Sequence, residues 1–557
     1  MGRCDAVWPR PSAELEIDSR NHESPNTKSP NRRSRSRIAA PVSKVSVTRP
    51  LAVVALGLAV ACGPKKVAVD PAIAARATLE QADANVRAGC FDCLADALKQ
   101  YESVRTVPVV ADAATKGAIR AAALLAMRER ELGTTDSGYL ERARDLASAS
   151  PIIQADVAPL LDIVELLPWR AGAGRSGQPD SSLGVFTNRG ERTETVRALA
   201  GRDELSAYVW ISYACASGTA LSMRNGELRA PVAAFVQAPL IAFRLLTCQS
   251  SGGTGAPQRL EDIAAAEPRF KEIAFFSGLT ATSARKLDDA EARYREAYAW
   301  RATWPAVTLS LANVLVTGED FNGALDFYEQ TLVLAPMYPD ALLGKLRTLT
   351  YLSKPDDAIR VADQLIGIGR YPGDAYYWKA YNELDLQRYD DAWRDVETAE
   401  KSLINGDVPK LAGIIAIDRK ELEVARERLE LAKRRSPSDC QALYYLHLVY
   451  AELRQWPQTA REAVAAAGCL SAAETGFRAE IEQIRVADVP EARKARQIAA
   501  REKQIASAIR MRANCWYNGA VADFNLSNKE EARELAQRIT DDEQLGERAR
   551  QLLDRLR

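Results

Sequence analysis

Histidine, the side chain that most often serves as a catalytic base or a zinc ligand, is almost missing from this sequence. Only His22 and His447 occur among 557 residues. Serine–histidine–acid triads and multi-histidine zinc sites both depend on placed imidazoles. The chain also lacks a phosphate-binding GK[ST] loop, and neither HExxH nor GxSxG occurs at a credible position. We therefore predict no enzymatic activity, no metal site and no cofactor.

One glycine pattern has the spacing of a dinucleotide-binding loop. Gly172, Gly174 and Gly177 spell GxGxxG. In a dinucleotide fold this loop follows a strand and opens a helix. Here it follows a helical stretch that ends near Leu167, and polar residues come after it. We interpret it as a loop. An enzyme site between residues 165 and 260 stays open as the least favoured alternative, and it would have to use carboxylates, Lys or Cys.

The nine cysteines include one CxxC motif, formed by Cys90 and Cys93. Haem attachment would require His at position 94, which is Leu, and a thioredoxin-like site would require a preceding strand. The sequence favours a local disulfide or a structural pair of thiols over either of these chemistries. Cys215 and Cys248 form a less promising pair. We expect Cys215 deep along one helix and Cys248 at the end of the next, roughly 15 Å away at about 1.5 Å per residue.

The first part of the chain carries an export signal behind an unusual leader. Residues 1–43 are rich in Arg, Ser, Pro and Asn without hydrophobic periodicity, so we predict a disordered leader, or one upstream of the true start codon. Residues 44–61 have a basic start, an apolar core from Leu51 to Ala61 and a small-residue end. That order is typical of a signal peptide. The sequence from Ala59 to Cys62 resembles a bacterial lipobox, which implies lipidation at Cys62; the alternative is a short anchor or an ordinary secretory signal.

Composition excludes several functional classes. The chain has 74 Lys plus Arg and 74 Asp plus Glu, so it has no net positive charge that would favour binding to nucleic acid. It is 47% hydrophobic and 27% charged, which is too apolar for a disordered protein. No apolar run is long enough to span a bilayer. We expect a soluble, helix-rich body.

An internal repeat organises this body. Four segments each carry a polar turn, an alanine, and apolar residues four and seven positions later. Their alanines are Ala290, Ala324, Ala358 and Ala392, which follow one another at a constant interval. The pattern continues with small shifts at Ala425, Ala460 and Ala532. A small residue twelve positions before most of these alanines allows two antiparallel helices to approach closely.

This pattern resembles the tetratricopeptide repeat (TPR) family, whose helix-turn-helix unit has the same length as the interval between these alanines. The resemblance implies an all-α fold, an α-solenoid of TPR-like repeats behind a disordered N-terminus and signal peptide. We predict a linker over 62–74, a degenerate helical-repeat region over 75–260 and a TPR array over 261–470. Residues 471–557 would form an extra helix and a C-terminal TPR-like cap. Cys440 would precede the first helix of its repeat and Cys469 would end the second, so a disulfide between them is feasible.

The resemblance also implies a binding groove lined by the first helix of each repeat. The residues placed on it are Phe275, Leu309, Asn313, Val316, Leu343, Arg347, Tyr377, Tyr381 and Tyr445. Apolar anchors beside one Arg and one Asn suit peptide recognition. The competing interpretation is that these aromatic residues only pack against neighbouring helices.

Together these features predict a lipid-anchored scaffold of the bacterial cell envelope that binds protein or peptide partners and not nucleic acid. We expect it at the outer membrane, facing the periplasm. The alternative is a lipoprotein that binds glycans or small ligands for uptake. That function would need exposed aromatic platforms, and the aromatic content is only 7%.

Overall fold

The computed structural model describes residues 70–134, 136–167, 189–216, 226–249 and 256–557. The predicted leader, signal peptide, lipidation site at Cys62 and Gly172–Gly177 motif lie outside these ranges. Every regular element within them is helical, so the predicted all-α class is confirmed. None of the described helices is long and apolar enough to cross a membrane.

The first nine α-helices and a short 3-10 helix make up the N-terminal region. The α-helices are α1 (Pro71–Ala88), α2 (Phe91–Val104), α3 (Ala111–Leu132), α4 (Tyr139–Ser148), α5 (Pro151–Leu166), α6 (Arg189–Leu199), α7 (Glu204–Ala216), α8 (Pro239–Gln249) and α9 (Ala256–Ala266). The 3-10 helix spans Ala230–Phe235. The chain turns between the 3-10 helix and Pro239, which begins α8.

Eleven helices follow, of which the first ten form five pairs and the eleventh pairs with the helix that comes after it. They are α10 (Ile273–Ser283), α11 (Leu287–Trp300), α12 (Pro305–Thr317), α13 (Phe321–Leu334), α14 (Pro339–Tyr351), α15 (Pro355–Ile368), α16 (Pro372–Asp385), α17 (Tyr389–Glu400), α18 (Asp407–Asp418), α19 (Leu422–Arg435) and α20 (Cys440–Glu452). Pro305 and Pro372, which fall late for the TPR pattern, each occupy the first turn of a helix. Proline is tolerated there because that N–H has no partner within the helix.

The turn inside each pair has the same backbone conformation. The second residue after the end of the first helix adopts a left-handed φ of 55° to 66°, at Arg285, Glu319, Ser353, Gln387, Lys420, Arg454 and Ser527. The next backbone N–H bonds back to a carbonyl in the last helical turn, as from Lys286 to Ala281 and from Lys354 to Leu349. This is the Schellman geometry that ends helices. Through Arg454 the turn recurs at the interval of the alanines, with a shift of a single position at Lys420, so the repeat is present in the backbone itself.

The predicted close approach of paired helices is present. Ala290, Ala324, Ala358 and Ala392 are all fully buried. A Cβ atom added to Gly278 would lie 2.5 Å from the ring of Tyr294, and one added to Gly413 would lie 2.5 Å from Leu429. Because no larger side chain fits, these glycines set the distance between the two helices of their pairs.

The C-terminal part departs from the predicted layout. Helix α21 (Trp456–Val486) continues well past residue 470, and the expected extra helix is fused with the next repeat helix into α22 (Glu491–Asn525). These two long helices form an antiparallel hairpin. Two short helices, α23 (Lys529–Gln537) and α24 (Gly546–Arg555), end the chain.

The disulfides include one pair that the sequence argument rejected. Cys90–Cys93 and Cys440–Cys469 are bonded, as predicted, but so are Cys215 and Cys248, whose Cα atoms are 5.7 Å apart. The prediction was wrong because it assumed antiparallel neighbours. The 3-10 helix instead packs back along α7, where the indole of Trp210 donates to the carbonyl of Leu228. As a result α8 runs in the same direction as α7, and their last turns meet.

Candidate partner-binding groove

The first helices of successive pairs bring several predicted groove residues together around α16. Tyr377, Trp378 and Tyr381 lie on α16, and Tyr351 ends the corresponding helix one repeat earlier. The ring of Trp378 lies 5.4 Å from that of Tyr377, 5.9 Å from Tyr381 and 6.0 Å from Tyr351. All four side chains are partly exposed. We call these four residues the aromatic strip.

Arg347 lies beside the aromatic strip and is held in place. Its guanidinium donates to the carboxylate of Asp374 over 2.8 Å and is centred 5.7 Å from the ring of Trp378. The side chain is 42% exposed. A charged group fixed by an ion pair and an aromatic face loses little conformational freedom on binding a ligand.

The hydroxyl of Tyr381, in the aromatic strip, and that of the neighbouring Tyr445 lie in a protected, acidic environment. Burial raises the pKa of Tyr381, and the nearby Tyr377, Asp385 and Tyr445 raise it further. Burial also raises the pKa of Tyr445 to about 12, with a further contribution from Asp418. Both hydroxyls are therefore protonated at neutral pH. Neither has a hydrogen-bond partner among the described residues, so both can bond to a ligand.

The same surface contains a cation that sequence reasoning missed. Lys410 occupies the position on α18 that Tyr377 occupies on α16, counted back from the left-handed turn residue of each pair. Its ammonium group lies 3.0 Å from Asp407 and 2.7 Å from Asp439, and the side chain is buried. Burial lowers its pKa, but the two carboxylates outweigh that effect and the pKa is raised. The position of Lys410 within its repeat could have identified it from the sequence.

At the start of the array, the structure places two predicted groove residues inside the protein. Phe275 is only 1% exposed, and its ring packs 4.6 Å from Trp304 and 5.9 Å from Tyr294. Leu309 is also buried, within the apolar cluster of its own repeat. The groove assignment of Phe275 was therefore wrong. The N-terminal region covers this repeat, since the indole of Trp304 donates to the carbonyl of Leu132.

The remaining predicted residues lie between these extremes. Val316 and Leu343 are half-buried against their repeat clusters. Asn313 is exposed, but its side-chain oxygen already accepts the hydroxyl of Tyr328 over 2.7 Å. The usable part of the predicted groove is thus centred on Arg347, Tyr377, Tyr381 and Tyr445.

One constellation has the residue types of a cysteine hydrolase. The thiol of Cys515 lies 3.9 Å from Nδ1 of His447, and the amide of Asn518 lies 3.3 Å from Nε2. Cys515 and His447 are both fully buried. Burial lowers the pKa of His447 to about 4 and raises the pKa of Cys515. A neutral imidazole beside a protonated, enclosed thiol is the opposite of an activated nucleophile.

Metal binding finds no support in the described part of the chain. No group of three or more His, Cys, Asp or Glu side chains there could hold an ion. What the geometry provides is a half-buried aromatic surface, a fixed Arg and two tyrosine hydroxyls. That combination suits the recognition of an extended chain.

Comparison with known proteins gives fold-level similarity only. No protein-family model and no curated protein matches the sequence. Similar solved structures include a tetratricopeptide repeat protein from Parabacteroides merdae, at 14% identity and TM-score 0.32, covering 51% of this chain and 98% of that one. PilF of Pseudomonas aeruginosa has 14% identity and TM-score 0.32, covering 35% and 89%. The APC/C hetero-tetramer Cut9–Hcn1 has 11% identity and TM-score 0.38, covering 88% and 97%.

The assignment of architecture rests on this chain's own backbone, in which the same left-handed turn recurs between paired helices at the repeat interval from Arg285 to Arg454. This chain is a TPR-like α-solenoid. Within the TPR-like array, the candidate site is the face formed by α14, α16 and α20.

Proposed function

We propose that this TPR-like protein is a scaffold without chemistry of its own, which binds an extended segment of a partner protein along the face formed by α14, α16 and α20. The observation that carries the proposal is the aromatic strip together with Arg347. Aromatic and Arg side chains dominate the binding energy of protein interfaces. The aromatic rings combine a large contact area with few flexible bonds, and Arg adds charged hydrogen bonds.

The charges around the strip favour one kind of segment. Asp385 follows Tyr381 by one helical turn, and Asp418 ends α18 near Tyr445. Neither carboxylate forms an ion pair with another described residue. A Lys or Arg side chain of the partner would gain both a carboxylate and an aromatic face here. The preferred partner segment is therefore apolar with at least one cationic side chain.

The proposed location is the bacterial cell envelope, with a lipid anchor at Cys62 in the outer membrane and the body facing the periplasm. Three disulfides support export, because such bonds persist in oxidising compartments and are rare in the cytosol. Cys62→Ser tests the anchor. The variant should lose metabolic labelling with palmitate and leave the membrane fraction, and an unchanged distribution would contradict lipidation.

The test of the binding face is site-specific photocrosslinking in the full-length protein. A photoreactive amino acid replaces Tyr381 in the groove, and in a control chain it replaces Arg360, a 69% exposed side chain on α15. We expect a defined protein adduct from position 381 and none from position 360. Adducts from both positions, or from neither, would contradict a protein-binding groove, and an adduct with glycan would support the uptake alternative.

A double variant sharpens the result. Arg347→Glu with Tyr381→Ala should abolish adduct formation from a probe placed at Tyr377. Because both side chains are partly exposed, the helical circular dichroism signal should stay unchanged. Loss of helicity would instead show that these residues hold the fold together.

A further inference from the structure

The hairpin of α21 and α22 projects beyond its own repeat. The second helix of that repeat is complete by Cys469, yet α21 continues to Val486 and α22 returns from Glu491. Between residues 471 and 504, Ile481 is the only buried apolar side chain in the described structure. We call residues 470–510 the arm. An arm with so little apolar burial is stabilised mainly by contact between its two helices.

The base of the arm is firmly fixed. The Cys440–Cys469 disulfide ties α21 to α20 immediately before the arm begins. Just after the last residue of the arm, Met511 and Cys515 on α22 join the apolar cluster of α20 and α21. The arm therefore starts from a rigid attachment at the C-terminal end of the array.

The part of the arm far from this attachment, in the first turns of α22, contacts the first two repeats of the array. One guanidinium group of α22, that of Arg493, is only 7% exposed and contacts both Asp288, at 2.6 Å, and Glu291. Arg501 lies 3.0 Å from Glu319. In each pair the two partners lie at opposite ends of the array and far apart in the sequence: Asp288 and Glu291 are on α11, and Glu319 is the turn residue between α12 and α13.

These contacts depend on charge rather than on apolar packing. The Nη2 atom of Arg496 adds a longer pair, 3.7 Å from Asp320. None of the apolar clusters in the described residues contains side chains from both the arm and helices α10 to α13. Salt screens partly buried ion pairs less than exposed ones, so weakening them requires a high concentration: the Debye length falls from about 10 Å at 0.1 M to about 3 Å at 1 M.

We propose that the arm is an electrostatic latch that closes the TPR-like array on itself. The contacts run from α10 through successive helices to α20, along α22, and back to α11. Two helices of the binding face, α14 and α16, lie between the two fixed points. While the latch is closed, the array cannot extend without breaking the arginine pairs, and opening it changes the spacing of the groove helices. This inference does not depend on the proposed partner.

The test is a distance measurement between spin labels in the full-length chain. Labels at Ala299→Cys on α11 and Ala499→Cys on the arm occupy exposed positions. Cys4→Ser and Cys62→Ser remove the other thiols available for labelling, because six cysteines are in disulfides and Cys515 is buried. At low salt we expect one narrow distance distribution. In about 1 M NaCl, where screening is strong, it should lengthen and broaden.

A pair of variants separates the latch from general charge effects. Arg493→Gln with Arg501→Gln should give the long, broad distribution even at low salt. Arg478→Gln with Arg485→Gln removes the same charge from side chains that pair only within α21, and should keep the narrow one. Circular dichroism verifies that the helices persist.

Two results would overturn the latch. One is a narrow distance that neither salt nor Arg493→Gln with Arg501→Gln changes, which would mean that uncharged contacts hold the arm. The other is a broad, long distribution of the unsubstituted arm at low salt. If Arg493→Gln with Arg501→Gln loses helicity, the salt dependence of the label-to-label distance in the unsubstituted arm tests the latch by itself.

Discussion

The N-terminal region and the TPR-like array bury their side chains in different ways. One apolar cluster extends from Ala75 in α1 to Val314 in α12, whereas most of the array from α12 onward is divided into small clusters within or between adjacent pairs. In the array, each pair depends mainly on its neighbours, as is typical of repeat proteins. The N-terminal region instead depends on contacts between residues far apart in sequence.

A buried ion pair shows the difference most clearly. Arg128 and Glu272 are both fully buried, and their side chains lie 2.9 Å apart although they belong to distant parts of the sequence. The same Glu272 oxygen also accepts the backbone N–H of Phe91 over 2.8 Å. The start of helix α10 is thereby joined to α2 and α3 at once. The first repeat of the array is consequently part of the N-terminal core.

The largest expected effect comes from breaking this pair. Arg128→Met leaves the carboxylate of Glu272 buried without its cation, and should lower the free energy of unfolding by about 3 to 5 kcal/mol. Arg394→Met is the matched change in the array. Its pair with Asp391 is 70% and 49% exposed and should contribute less than about 1 kcal/mol. Equal losses in urea unfolding would contradict the contrast between the two regions.

The second prediction concerns pH. Burial raises the pKa of Glu129 to about 7, against an ordinary value of 4.5. The folded state therefore holds this proton more tightly than the unfolded state. The resulting stability is fully present below pH 4.5 and is lost as pH rises through 7. Glu129→Gln should remove this dependence and raise the free energy of unfolding at pH 8 by roughly 2 to 4 kcal/mol.

Urea unfolding between pH 4.5 and 8 measures the effect of Glu129. Since the side chain is only 2% exposed, solvent does little to reduce it. If the free energy of unfolding has the same pH dependence in the unsubstituted protein and in Glu129→Gln, the carboxyl group of Glu129 is ionised in the folded state across this range.

The third prediction tests the local packing of the array. Gly413→Ala would place a Cβ 2.5 Å from Leu429, and should cost about 1 to 3 kcal/mol. At Gly367, an added Cβ would have no atom within 4 Å apart from its chain neighbours and the backbone of its own helix. The same substitution there should instead stabilise α15 by about 0.5 to 1 kcal/mol. Thermal unfolding of the two variants should shift in opposite directions. Shifts of the same sign would mean that helix spacing is not set by these glycines.

The smallest effect is expected at the repeated turn. Ser353 is exposed and adopts a left-handed φ of 55°, which costs little for glycine and more for other residues. Ser353→Gly should therefore raise the free energy of unfolding by up to about 1 kcal/mol, while Ser353→Ala should not. A loss on introducing glycine would indicate that backbone entropy outweighs the relieved strain.

Much of the array could be predicted from sequence because its determinants are local. The alanines at the repeat interval and the small residues twelve positions before them act within one or two helices. The candidate groove was only partly predictable. Tyr377 and Tyr381 follow from repeat register, but the burial of Phe275 depends on Trp304 and on helices much earlier in the chain.

The sequence by itself determined the helical class, the repeat length and the turns, because each depends on residues close together in the chain. It also indicated the Cys90–Cys93 disulfide from its local motif and the Cys440–Cys469 disulfide from the antiparallel pairing of helices within one repeat. Only the tertiary structure decided the rest. The bond between Cys215 and Cys248 depends on the direction in which α8 returns. The pairs of Arg493 and Arg501 depend on where a long hairpin meets helices from the opposite end of the array. Side-chain type and spacing do not predict these contacts, because the contacts form only when elements distant in the sequence pack together.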